Sequence, residues 1–92
     1  MPVVQMTPHL YRFFPQLEHR TLEVPAGSVA EVLRAIDALA PGFTDYLLDD
    51  HGALRRHVNI GINQTILYDR KTLSDHVPEG ATLYIFQALT GG

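Results

Sequence analysis

Hydrophobic and polar positions follow two rhythms along the chain, one of period two and one of period 3.6. From His9 to Phe14, Leu10, Arg12 and Phe14 alternate with Tyr11 and Phe13. This predicts a first strand, ended by Pro15, which has no backbone donor. From Leu17 to Val24, Arg20, Leu22 and Val24 alternate with His19, Thr21 and Glu23 and predict a second strand. Two strands this close in sequence are expected to pair as a hairpin. Residues 1–7 carry little pattern and are expected to be loosely held.

The rhythm then changes. Ser28-Val29-Ala30-Glu31 is a capping box: the serine hydroxyl can accept from the amide three residues on, and the glutamate can reach back to the cap amide. Val29, Val32, Leu33, Ile36, Leu39 and Ala40 recur at helical spacing and form one apolar stripe, with Glu31, Arg34 and Asp37 off it. Pro41-Gly42 stops the helix. Phe43 to Leu48 suits either a further helical turn or a packed loop, and Asp49-Asp50-His51-Gly52 has turn chemistry.

Period two returns at Arg56–Ile62, with Val58, Ile60 and Ile62 inward and His57, Asn59 and Gly61 outward. Asn63-Gln64 turns the chain, Ile66–Tyr68 reads as a short edge strand, and Leu73 and Val77 read as single apolar plugs. Val77-Pro78-Glu79-Gly80 is a turn into a final strand, where Leu83 and Ile85 alternate with Thr82, Tyr84 and Phe86. The order predicts an α+β fold, a mixed sheet packed over one main helix, with the first and last strands side by side in the middle.

Length and charge narrow the function. A chain of 92 residues is expected to form a single domain, residues 1–92, with one modest core. The net charge is −3, and the basic pairs Arg55-Arg56 and Arg70-Lys71 are isolated, so no nucleic-acid partner is expected. There is no cysteine, which removes disulfides, thiolate metal sites and thiol catalysis by the chain itself. No apolar run approaches a membrane span and no signal peptide opens the chain, so no membrane partner and a cytoplasmic location are expected.

Self-contained chemistry is not evident. The five histidines, His9, His19, His51, His57 and His76, show no metal-ligand spacing. Ser28 is accounted for as a cap, Asp49-Asp50 as a solvated turn, and no glycine loop is built to cradle phosphate. An enzyme is therefore not expected, nor is a bound cofactor or metal.

The unusual feature is the end of the sequence. The final strand runs into Gln87-Ala88-Leu89-Thr90-Gly91-Gly92, read as a flexible tail over about 88–92. Extended, Ala88 to Gly92 reaches roughly 17 Å. Gly91 and Gly92 have no side chain, so a terminal carboxylate on Gly92 can enter a narrow slot. A carboxylate is a poor electrophile until another protein activates it; adenylation makes it a mixed anhydride open to sulfur or nitrogen nucleophiles. With Leu83 and Ile85 facing the helix, Tyr84 and Phe86 face outward. Phe13 and Tyr11 on the first strand are expected to join them, and with Leu89 they make a candidate partner surface.

The run Val58-Asn59-Ile60-Gly61-Ile62-Asn63, then Leu73, Val77, Gly80, Leu83-Tyr84-Ile85-Phe86 and Gly91-Gly92, resembles the MoaD/ThiS family of ubiquitin-like sulfur carriers. The resemblance spans about residues 8–92. It implies a β-grasp fold and a C-terminal Gly92 that a ubiquitin-activating-like adenylyltransferase adenylates with ATP. Conversion to a thiocarboxylate follows, and the sulfur passes to a synthase subunit. Gly91 is then the slim residue behind the reacting one. Gln87-Ala88 stands where many members have proline, and Ala81 where many have aspartate, which leaves the subfamily open. The long Phe43–Arg56 connection leans towards carriers serving cysteine or other sulfur pathways. A covalent protein modifier of the ubiquitin type shares the same tail, and a noncovalent interaction module is a third reading. A lone lysine, Lys71, gives little for building chains of itself and favours a carrier.

Overall fold

The computed structural model describes residues 1–18 and 21–87. Strands β1 (Val3–Met6), β2 (Leu22–Glu23), β7 (Thr82–Gln87), β4 (Val58–Ile62) and β5 (Thr65–Ile66) form one sheet in the order β2-β1-β7-β4-β5. β1 and β7 run parallel at its centre, with Val4 opposite Leu83 and Met6 opposite Ile85. β2 pairs antiparallel with β1, and β4 pairs antiparallel with both β7 and β5. A second, two-stranded sheet pairs β3 (Gly27–Ser28) with β6 (His76–Val77).

Helix α2 (Val29–Leu39) starts as its capping box requires. Ser28 Oγ accepts from the Glu31 amide at 3.2 Å, and the Ser28 amide donates to Glu31 Oε1 at 3.0 Å. Its stripe of Val29, Val32, Leu33 and Ile36 is buried with Val4, Leu22, Val58, Ile60, Leu83 and Ile85 in one core. Leu39 departs from the expected stripe and is 44% exposed, while Ala40 is fully buried. Leu39 lies about 80° round the helix from the stripe's centre, so the core reaches only its edge. Gly42 at φ 95° turns the chain into α3 (Phe43–Leu47), whose Phe43 and Leu47 are buried.

The first quarter of the chain differs from its pattern. Residues 3–6 are not loose but form β1, held between β2 and β7. Residues 8–13 are not a strand but helix α1 (Pro8–Phe13), followed by a 3₁₀ turn at Pro15–Leu17. β2 is only Leu22–Glu23, and His19 and Arg20 lie outside the described residues. Pro8 supplies the physical reason for the helix: it sits in the first turn, where its missing N–H costs nothing and its fixed φ suits a helix start. Leu10 is buried and joins the core from this helix.

The segment between β5 and β6 is more ordered than two apolar plugs suggest. The Asp69 carboxylate accepts from the amides of Lys71, Thr72 and Ser74 and from the hydroxyls of Thr72 and Ser74. Asp75 accepts from the amides of Tyr68 and Asp69 at 2.9 and 2.8 Å. Leu73 is held at φ 57°, a conformation rare for a side chain of its size. There its carbonyl accepts from the Ala30 amide and the Asp75 carbonyl from the Val29 amide, satisfying first-turn donors of α2. No helix among the described residues is long and apolar enough to cross a membrane.

Candidate functional site

One face of the main sheet carries α2; the other carries no element among the described residues. Residues directly opposite across a ladder point to the same face. Tyr84 stands opposite Gln5 on one side and Gly61 on the other, and Phe86 stands opposite Asn59. Gly61 in turn faces Ile66 on the edge strand. The open face therefore carries Tyr84 and Phe86 in its central strand, flanked by Gln5, Asn59, Gly61 and Ile66. Tyr84 is 40% and Ile66 60% exposed, and Phe86 is half-buried.

Two depressions flank the aromatic pair. One of about 310 Å³ lies between β7 and the β4–β5 hairpin, lined by Gly61, Asn63, Thr65, Ile66, Tyr84 and Phe86. The missing side chain of Gly61 leaves it open. The other, of about 210 Å³, lies between β1 and β7, lined by Gln5, Met6, Thr7, Tyr84 and Phe86. Arg70 fixes the polar border: its Nη1 donates to Asn59 Oδ1 at 3.1 Å and its Nη2 to the Arg55 carbonyl at 2.7 Å. At the end of β7, Gln87 Oε1 and Thr7 Oγ1 are buried without a hydrogen-bond partner among the described residues.

Gly91, Gly92 and Leu89 lie outside the described residues. What the structure describes is their attachment: β7 is paired with β1 as far as Ile85 and with β4 as far as Gln87, with Leu83 and Ile85 fully buried. Phe13 is not on the open face. It lies on α1, packed against His9 and Tyr46 with ring centroids 5.2 and 5.0 Å away, and Tyr11 lies on the same helix. The alternation that placed them with Tyr84 belongs to a helix, not to a strand beside β7. Gln5 of β1 occupies the position assigned to them. Sequence reasoning missed Gln5, Ile66 and Arg70; Gly61 was read as outward, which was the available sign of the notch.

The shifted carboxylates lie away from this face. Glu31 is held below its ordinary range chiefly by the Ser28 amide, and Asp37 by the Thr44 amide. Asp49 is lowered by the amides of His51 and Ala53, and Asp69 by the hydroxyls of Ser74 and Thr72. Each is part of a cap or turn. No group of three or more metal-ligating side chains occurs among the described residues. None of these shifted carboxylates lines the two depressions of the open face.

The same architecture occurs in proteins of known structure. CysO of Amycolatopsis orientalis, solved in complex with BexX, superposes with a TM-score of 0.83 at 21% identity, over 100% of both chains. CysO of Mycobacterium tuberculosis, described as an antigen, gives 0.79 at 22% identity, over 97% of this chain and 100% of that one. SAMP1 of Haloferax volcanii gives 0.74 at 19% identity, over 99% and 98%. No protein-family model and no curated protein matches the sequence. The fold is the ubiquitin-like β-grasp, as the MoaD/ThiS resemblance implied.

Proposed function

We propose that this chain is a sulfur carrier: a protein co-substrate, not an enzyme, that carries sulfur as a thiocarboxylate on Gly92. The observation that supports this most is the position of β7. It is the central strand of the sheet, fully packed on one face, and leads within five residues into Gly91-Gly92. The strand that leads to Gly91-Gly92 is thus anchored in the packed sheet up to Gln87, while the open face beside it offers aromatic anchors to a partner. The shared fold of the CysO proteins adds to the reading, and the complex of one of them with BexX shows that such a body can pair with another protein.

The chemistry needs no group from this chain other than the tail carboxylate. A carboxylate oxygen of Gly92 attacks the α-phosphorus of ATP on an adenylyltransferase, and pyrophosphate leaves. A sulfur nucleophile at the hydrosulfide level then attacks the acyl carbon, and AMP leaves. The product is a thiocarboxylate, a sulfur nucleophile for an acceptor substrate on a synthase. The cysteine-free chain has no second place to hold sulfur as a persulfide. A modifier of the ubiquitin type shares the adenylate but passes the acyl group to a lysine, and the name of SAMP1, a small archaeal modifier protein, keeps that reading in view.

Intact-protein mass spectrometry separates them. After incubation with ATP, the cognate activating enzyme and a sulfide source, a mass gain of one oxygen replaced by sulfur is expected, mapped to the terminal peptide. An isopeptide to a target lysine with no thiocarboxylate would establish the modifier instead. Removing Gly92 shortens the reach by roughly 3.5 Å and is expected to abolish both products.

A further inference from the structure

A second candidate surface lies on the helix side, across the sheet from Tyr84 and Phe86. A depression of about 400 Å³ opens where α2, the Leu48–Gly52 turn and the Lys71–Leu73 segment meet. Its floor is apolar: Ala30 of α2 and Leu48 are part-exposed there, with the buried Leu33 and Leu73 beneath them. Its rim carries Arg34, His51 and Lys71, all exposed. Among the described residues no carboxylate lines it.

Of the carboxylates near in sequence, Asp45 and Asp50 are exposed beside Thr44 and His51 but do not line the depression, and three others are each committed to a turn. Asp37 accepts from Thr44, Asp49 from the His51 and Ala53 amides, and Asp69 from the amides and hydroxyls of its loop. Arg34 is drawn electrostatically to Glu31, yet the Arg34 and Lys71 side chains make no hydrogen bond or close ion pair among the described residues. One wall is rigid. Leu73 is held left-handed by a loop whose hydrogen bonds determine its path, and such strain persists only where surrounding structure enforces it. That loop presents Lys71 at a fixed place beside the apolar floor.

We propose that this depression binds an acidic peptide segment of a partner protein, with an apolar side chain against Ala30 and Leu48 and carboxylates at the basic rim. A bare inorganic anion suits it poorly, since an apolar floor offers no donors to replace the lost hydration. A purely apolar segment leaves the rim cations unpaired. An apolar residue flanked by acidic ones satisfies both. Because the depression lies across the sheet from the aromatic face, one partner can occupy each side at once.

The probe is a blocked hexapeptide alternating leucine and glutamate, titrated into the full-length, isotope-labelled chain by amide NMR. Saturable shifts are expected at Gly52, Lys71 and Thr72, with Gly61 on the open face unmoved. The glutamine counterpart of the peptide should leave all of them in place. Arg34→Ala combined with Lys71→Ala should weaken binding roughly tenfold, two rim pairs being removed, with the thermal melt unchanged. Any one of three results would overturn the proposal: equal binding of the glutamine peptide, equal binding to the double variant, or the same shifts from inorganic phosphate at matched ionic strength. No ATP or activating enzyme enters this experiment, so its outcome is independent of the carrier chemistry.

Discussion

The two faces of the sheet are built from the same strands, residue by residue, and do opposite things. On the covered face Val4, Val58, Ile60, Leu83 and Ile85 are each no more than 3% exposed and pack under α2. On the open face the intervening residues are Gln5, Asn59, Gly61, Tyr84 and Phe86, and one of them has no side chain at all. The first set is interchangeable apolar volume, which stabilises whatever it touches. The second mixes aromatic rings, an amide held by Arg70 and a gap, a combination that adds little to stability but defines a shape. On the proposed function, stability and recognition are separated by the pleat of the strand, one residue apart.

The largest expected effect breaks the covered face. Leu33→Ala removes a fully buried side chain of the core and should cost roughly 2–5 kcal/mol through the cavity it leaves. Thermal melts measure it. Below its melting transition the variant should still accept activation at its tail, because the open face is untouched. A melt unchanged from wild type would remove Leu33 from the core.

The next effect breaks the open face. Phe86→Asp places a charge where the sheet has no covering layer, so circular dichroism and the melt should change little. Binding to the activating enzyme, measured by calorimetry, should fall at least about tenfold, since truncated aromatic anchors commonly cost more than 1.4 kcal/mol. Unchanged affinity with an intact fold would place the recognition surface elsewhere.

The contrast also explains what the sequence disclosed. Leu83 and Ile85 against Tyr84 and Phe86, and Val58 and Ile60 against Asn59 and Gly61, were legible because half-buried strands write their faces at period two. Helix α2 was legible because its cap and stripe agree. The segment from Met1 to Phe14 was not. β1 is four residues long and only Val4 in it is buried, too little for a period to show. The aromatic run after it alternates well enough for a strand, yet Pro8 starts a helix there. That inversion is why Phe13 was assigned to the open face and Gln5 was overlooked. Arg70 was hidden for another reason: its contacts to Asn59 and Arg55 span 11 and 15 residues and leave no local mark.

A smaller effect sharpens the comparison at the edge of the covered layer. Ser28→Ala removes the hydroxyl that caps α2 and should cost about 1 kcal/mol. It should also change the acid response. Glu31 titrates below its ordinary value in the folded protein, chiefly because the Ser28 amide binds its charged form. A depressed carboxylate stabilises the fold at pH values above its unfolded pKa, and that contribution is lost as pH falls through the folded one. The Ser28 hydroxyl adds to the depression, so Ser28→Ala should flatten the loss of stability below about pH 4.5. Melts from pH 6 down to 3 test this, and parallel curves for both proteins would detach Glu31 from the cap.

The smallest expected change in stability is the most discriminating, because it should raise stability while lowering recognition. Gly61 has no left-handed backbone to protect, and a Cβ built on it meets only the Thr65 carbonyl oxygen, at 3.7 Å, an ordinary contact. Gly61→Ala is therefore sterically free. It restricts the unfolded chain and should stabilise the protein by roughly 0.4–1 kcal/mol. The same methyl group enters the depression between Tyr84 and Ile66, which exists because that side chain is missing. Affinity for the activating enzyme should drop a few-fold in Gly61→Ala and further in Gly61→Leu, with both variants folded. If Gly61→Ala melts higher and binds as tightly as wild type, the notch is incidental and the aromatic pair alone defines the face. If it melts lower, the strand tolerates no side chain there, and the glycine is explained by packing, not by recognition.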